Sequence, residues 1–194
     1  MQQKSKIIVY NYKIMKQKLK ERDIVAGCKA DKPQSQRQLY DKYCRLVMGM
    51  ALRYTQNIPD AEDVVQDVFV KIFMNINTLR NESTLISWIK TITTHTCIDF
   101  LKAKNKKIIT TNIDDITNEI IDNNNKIYDG IPTEQLLKFI QELPDGFRTI
   151  FNLYAIDGYK YEEIAQMLAC SESNVRSQYL RARKILREKI ENYE

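Results

Sequence analysis

No stretch of this chain limits its fold more than Tyr161-Glu-Glu-Ile-Ala-Gln-Met-Leu-Ala-Cys-Ser-Glu-Ser-Asn-Val-Arg-Ser-Gln-Tyr-Leu-Arg-Ala-Arg-Lys-Ile-Leu-Arg187. Ile164, Ala165 and Leu168 make one apolar stripe at helical spacing. Ser171 or Ser173 is placed to cap a second helix. In that helix Val175 faces back to the first. Arg176, Ser177, Gln178, Arg181, Arg183 and Lys184 are left for an outside partner. Two helices, a tight turn and a basic second helix are the layout of a helix-turn-helix, whose second helix enters the major groove of DNA. The rival reading is a helical hairpin used for protein contact.

The rest of the chain carries the same helical period. Residues 36–55 place apolar side chains at Leu39, Tyr40, Tyr43, Leu46, Val47, Met50, Ala51 and Tyr54. Asn57-Ile-Pro-Asp60 ends that helix and caps the next, over 60–79, with Ala61, Val64, Val65, Val68, Phe69, Ile72, Phe73 and Ile76 on its apolar face. A loop, Asn75 to Ser83, leads to a third helix over 84–104. Residues 16–30 predict a shorter helix. After Lys107 the periodicity collapses into Asn, Asp, Thr and Ile, which reads as a flexible linker over 108–132. Order resumes at Pro132, with helices predicted over 133–142, 145–157, 161–169 and 172–190. With 5 Gly and 4 Pro in 194 residues, long helices are permitted and an all-β fold is disfavoured. The expected fold is all-α, two small helical domains (16–107 and 133–194) joined by the linker, with residues 1–15 a basic extension.

Composition removes several classes of function. No run of about 18 apolar residues exists, so no membrane span is expected. Ile7-Ile8-Val9 is too short for a signal-peptide core, which makes a cytoplasmic protein the default. Cys28, Cys44, Cys97 and Cys170 form no CxxC pair, and His95 is the only histidine, so no metal or cofactor is expected. The cysteines read as small buried apolar residues, with a redox-sensing pair as the alternative. A hydrolase would need clustered carboxylates or a histidine-based site, and neither is present. The net charge is +5, but it is unevenly spread. Basic blocks at 1–22, 102–107 and 176–189 flank an acidic segment at 108–134, a pattern of several nucleic-acid contact points.

Two further constellations carry weight. Glu62, Asp63, Gln66 and Asp67 fall on a polar face of the second helix, opposite its apolar stripe. Spacing alone leaves two readings: a solvated acidic face near a helix N-terminus, where the dipole favours carboxylates, or a docking face for a basic partner. On the third helix Lys90, Thr91, Thr94, His95, Lys102 and Lys104 can project outward. Trp88 and Phe100 read as core, the alternative being stacking on unpaired bases.

The ordered set resembles the sigma-70 family of bacterial RNA polymerase initiation factors, in its small two-domain extracytoplasmic-function group. The residues that carry the resemblance are Leu39-Tyr-Asp-Lys-Tyr43, Asp60-Ala-Glu-Asp-Val-Val-Gln-Asp-Val-Phe69, Trp88-Ile with Ile98-Asp-Phe-Leu101, Leu143-Pro-Asp-Gly-Phe-Arg148, Tyr161-Glu-Glu-Ile-Ala165 and Arg181-Ala-Arg-Lys-Ile-Leu186. The match spans roughly residues 20–190. It implies a non-enzymatic factor that binds core RNA polymerase, directs it to promoters and assists melting. Asp60, Glu62, Asp63, Gln66, Asp67 and Phe69 become contacts to the clamp helices of the largest polymerase subunit. Asn75, Asn77, Asn81, Lys90, Thr91, Thr94, His95, Lys102 and Lys104 become contacts to the minus-ten element of promoter DNA, where a base is flipped from the stack.

Ser173, Asn174, Arg176, Ser177, Gln178, Arg181, Arg183 and Lys184 become contacts to the minus-thirty-five element. An anti-sigma factor, often membrane-bound, is the implied regulatory partner, and no small-molecule substrate is implied. The competing reading is a helix-turn-helix activator or repressor acting without core polymerase. The chain departs from the family in its helix-turn-helix turn, where Ala169 and Ser173 stand at or near positions that commonly hold glycine. Both would hold backbone angles that glycine takes more easily. Thr94-His95 stands where Arg-Asn is common, which implies a weaker grip on phosphate.

Overall fold

Apolar residues at every third or fourth position, with few glycines to interrupt them, build a chain of helices packed through their stripes. The computed structural model describes residues 21–104 and 131–193; the expected extension at 1–15 and the linker residues 108–130 lie outside them. No strand occurs among the described residues. The helices are α1 (residues 21–29), α2 (Pro33–Tyr54), α3 (Ile58–Asn75), α4 (Leu85–Lys104), α5 (Thr133–Gln141), α6 (Asp145–Phe151), α7 (Tyr161–Leu168) and α8 (Glu172–Glu191). Among the described residues no helix is long and apolar enough to cross a membrane.

Two helices end earlier than their periodicity predicts. The segment expected to continue to 79 closes as α3 at Asn75 and tightens into short 3-10 turns over Ile76–Thr78 and Glu82–Thr84. At that end the Asn75 side-chain amide donates to the Lys71 carbonyl at 2.8 Å. The segment expected as one helix over 145–157 is α6 followed by a π-helical stretch, Asn152–Ile156. There the Asp157 amide reaches the Asn152 carbonyl at 2.8 Å, one residue beyond the α-helical partner. Gly158 then turns the chain at φ +80°, a conformation open to a residue without Cβ.

The chain forms two compact units, one of the described residues up to Ala51 together with Glu62–Thr96, the other of Leu52–Ala61 together with the described residues from Cys97 onward. The first buries Ile24, Val25, Leu39, Val47, Val64, Val68, Ile72 and Ile89. Polar contacts pin its edges. Lys29 Nζ donates to the Leu79 carbonyl at 2.8 Å, and Tyr43 Oη to Glu21 at 2.8 Å, with Lys42 paired to the same carboxylate.

In the second unit α8 packs against α5, α6 and α7. Phe139, Leu143, Ala182 and Leu186 form a core cluster there, flanked by Ile140, Phe147, Phe151, Ile185 and Ile190. Arg148 is 1% exposed, yet every side of its guanidinium meets an acceptor. Nε donates to the Tyr54 carbonyl at 2.9 Å. One terminal nitrogen donates to the Gln141 and Leu143 carbonyls at 3.1 and 2.7 Å, and the other to Asp145. Nearby, Asp157 accepts from Arg53 at 2.8 Å and from the Tyr54 hydroxyl at 2.6 Å. Burial, reinforced by Asp157, pushes that hydroxyl well above the usual tyrosine range, so it stays a neutral donor.

Removing the arginine would leave several buried carbonyls without a donor. Arg148→Leu is expected to lower stability by about 3 kcal/mol, read as a fall in the urea midpoint. A loss below about 1 kcal/mol, the size of one ordinary hydrogen bond, would show that the carbonyls do not depend on Arg148.

Candidate nucleic-acid interface and docking face

Asn57 starts α3: its side-chain oxygen accepts from the Asp60 amide at 2.8 Å, and Pro59 follows within the first turn. Asp60 answers the cap at 2.9 Å and also pairs with Lys104, so its carboxylate is engaged at the helix start. Beyond it Glu62, Asp63, Gln66 and Asp67 are exposed on one side. Phe69 is not with them. It is 4% exposed, with its ring centroid 4.6 Å from that of Tyr40. Its burial agrees with the apolar stripe that its spacing predicts, four residues after buried Val65, and leaves little outward surface for the contact that the family resemblance implies. The outer face instead continues through Val70 and Met74, which are 56% and 76% exposed. Sequence reasoning missed both, although their phase against Val64, Val68 and Ile72 was readable. The result is a helix face acidic in its first half and apolar in its second, a mixture suited to protein contact.

On α4 the structure exposes Lys90, Thr91, His95, Lys102 and Lys104, and on the preceding segment Asn75, Asn77 and Asn81. Asn81 also caps a 3-10 turn by accepting from the Ser83 amide at 3.0 Å. Lys102 donates to the Met167 carbonyl at 3.0 Å. Thr94 departs from the expectation: it is 1% exposed, and Thr93 and Thr96 are buried with it. The inner face of α4 is wide, with Thr93, Thr94, Thr96 and Cys97 buried as well as Leu85, Ile89, Ile98 and Leu101. Thr93, for example, satisfies its hydroxyl by donating back to the Ile89 carbonyl at 2.8 Å. Trp88 and Phe100, expected in the core, are half-buried. Ile86 adds an exposed apolar residue, 47% accessible, near the start of the helix.

The α7–α8 pair forms as its sequence predicts. Glu163 reaches back to accept from the Lys160 amide at 2.7 Å. Ala169 ends α7 at φ 54°, ψ 46°, the left-handed conformation in which alanine is strained. The amides of Ala169 and Cys170 return to the Gln166 and Ala165 carbonyls at 3.3 and 3.0 Å, a complete Schellman closure. Ser171, not Ser173, is the cap of α8, accepting from the Asn174 amide at 3.2 Å. Ser173 carries none of the strain expected of it. It sits in the first helical turn, and the described non-glycine residues with positive φ are Asp31 and Ala169.

Along α8, Ser173, Arg176 and Lys184 are exposed, while Asn174, Ser177, Arg181 and Arg183 are half-buried. Gln178 is a second correction among the DNA-facing residues. It is 2% exposed, aligned with Val175, Ala182 and Leu186, and its amide donates to Asn174 at 2.5 Å. Helical phase puts it inside. The Arg176 guanidinium lies over the Tyr161 ring, 5.3 Å from its centroid.

The Sigma-70 region 2 pattern matches residues 39–107 and the Sigma-70 region 4 pattern matches 133–186, between them more than half of the chain. Curated relatives include the ECF RNA polymerase sigma-E factor of Haemophilus influenzae, 29% identical over 163 residues, 79% of this chain and 86% of that protein. The ECF RNA polymerase sigma-E factor of Escherichia coli strain K12 is 27% identical over 160 residues, 77% of this chain and 83% of its own. Among solved structures, the sigma factor RpoE from Bartonella quintana, crystallised with the anti-sigma factor NepR, is 20% identical. It aligns over 81% of this chain and 98% of the other at a TM-score of 0.51, a likeness of fold. This chain belongs to the sigma-70 family of RNA polymerase sigma factors, in its extracytoplasmic-function group. It is therefore an initiation factor that works with RNA polymerase at promoters.

The Ala169 turn gives a direct test of the local energetics. Ala169→Gly relieves the left-handed strain but loosens the unfolded chain. The expected net gain is about 0.5–1 kcal/mol, measured by chemical denaturation. A net loss would mean that the turn tolerates the methyl group without strain.

Proposed function

We propose that this sigma factor divides its work between a first domain, residues 16–107, and a second, residues 133–194, with 108–132 as the tether and 1–15 as a basic extension. The first would dock on the clamp helices of the polymerase largest subunit and capture the minus-ten element. The second would read the minus-thirty-five element as duplex through α8. The observation that carries this reading is the outer face of α3. Glu62, Asp63, Gln66 and Asp67 stand exposed there, followed by Val70 and Met74, inside the region 2 match. An acidic face of that kind repels DNA and attracts a basic protein surface, steering association as well as holding it. It also weighs against an operator-binding regulator that works without core polymerase, which would have no use for such a face. The Bartonella structure contains an anti-sigma factor bound to its sigma factor. We extend that class of partner to this chain.

The minus-ten reading rests on Lys90, Thr91, His95, Lys102 and Lys104 of α4 with Asn75, Asn77 and Asn81 before it. Lysines supply phosphate contacts that fix register, and the asparagine amides can meet the edge of an unstacked base. In α8, Arg176 stands one turn into the recognition helix, where base-edge contacts concentrate, while Arg181, Arg183 and Lys184 serve the backbone.

The two roles separate by mutation. Asp63→Arg with Asp67→Arg is expected to weaken core-polymerase binding by about tenfold or more, measured by titration against purified core. Normal core binding by that variant would remove α3 from the docking assignment. Arg176→Ala and Arg181→Ala are each expected to cut promoter-specific transcription about five- to tenfold while core binding stays as it was. Loss of core binding in either arginine variant would show that the two surfaces are not independent.

A further inference from the structure

We propose that Tyr161 is a positioning residue for promoter recognition: its ring holds the Arg176 guanidinium in the orientation in which α8 presents it to the minus-thirty-five element. The proposal rests on the reading of α8 as the duplex-reading helix and adds a residue on α7 to it.

An arginine on an exposed helix face samples many rotamers, and each must be given up when it binds a base edge. Arg176 is held before DNA arrives, with its guanidinium 5.3 Å from the centre of the Tyr161 ring. That ring is itself fixed. It stacks on Tyr154 with centroids 4.3 Å apart and planes 18° from parallel. Tyr154 in turn meets the edge of Tyr179 at 4.6 Å, and Tyr179 lies alongside Phe151 at 6.3 Å. The aromatic layer therefore joins α6, the π-helical stretch, the first residue of α7 and the middle of α8.

Burial, together with a hydrogen bond to Tyr154, pushes the Tyr161 hydroxyl well above the usual tyrosine range, although Arg176 pulls the other way. The ring thus meets Arg176 as a neutral aromatic face. The attraction is that of a cation for the ring quadrupole, not of a guanidinium for a phenolate. A leucine at 161 would keep apolar bulk and lose that attraction. A phenylalanine would keep it.

The test uses the full chain bound to core polymerase. The probe is a duplex promoter selected by the wild-type holoenzyme from a randomised library, alongside the same duplex with its upstream element scrambled. Tyr161→Leu is expected to lower affinity for the selected promoter about two- to fivefold and to leave affinity for the scrambled one unchanged. Tyr161→Phe should bind as wild type does. In an Arg176→Ala background, Tyr161→Leu should have no further effect.

A series of ring-fluorinated phenylalanines at position 161 preserves shape and packing while weakening the negative face. Affinity should fall stepwise along it, which keeps the test decisive if the leucine variant folds poorly. An equal loss from Tyr161→Leu with and without Arg176, or no trend with fluorination, overturns the proposal. If Arg176→Ala itself leaves selected-promoter binding intact, the reading of α8 fails first, an outcome distinct from the others.

Discussion

A buried guanidinium organises the second unit. Desolvating Arg148 costs several kcal/mol unless it is well partnered, and here each of its three nitrogens has an acceptor: three main-chain carbonyls and the Asp145 carboxylate surround it. Two of those carbonyls, Gln141 and Leu143, lie at the end of α5 and just beyond it, where helical partners run out. The arginine thus satisfies acceptors that the turn between α5 and α6 would otherwise leave buried and unmet. Its third carbonyl belongs to Tyr54, whose hydroxyl donates to Asp157. The Leu143-Pro-Asp-Gly-Phe-Arg148 motif acquires its physical meaning there: leucine for the core cluster, aspartate and arginine for the polar lock.

The functional surfaces follow from what the helices leave outside. Each helix commits one phase to its core and leaves the remainder outside it. On α3 that remainder is acidic and then apolar; on α4 it is polar with lysines; on α8 it is basic. Opposite charges are kept largely on separate helices, so the acidic face of α3 stands apart from the basic side of α8. The tyrosine layer beneath α8 shows that core and surface are not independent, since the same aromatic packing that holds α7 against α8 also touches Arg176.

Most of the architecture was legible in the sequence because it depends on local periodicity. Eight helices were expected and eight are described, and the Ala169 strain was readable from the turn. The errors cluster where phase is ambiguous or where a side chain has another use. Thr94 and Gln178 are chemically suitable for contact, but each falls in phase with buried neighbours and turns inward. Asp60 and Lys104 are exposed or half-exposed as expected, yet they pair with one another. Val70 and Met74 were overlooked because apolar residues are assumed to face a core.

The sequence by itself determined the helices, the helix-turn-helix, the charge segregation and the family, since each is written in spacing and residue type over short range. Only the tertiary structure decided that Arg148 reaches the Tyr54 carbonyl and that Arg176 rests on Tyr161. Those outcomes depend on where side chains and carbonyls distant in sequence meet, and helical periodicity carries no information about such meetings.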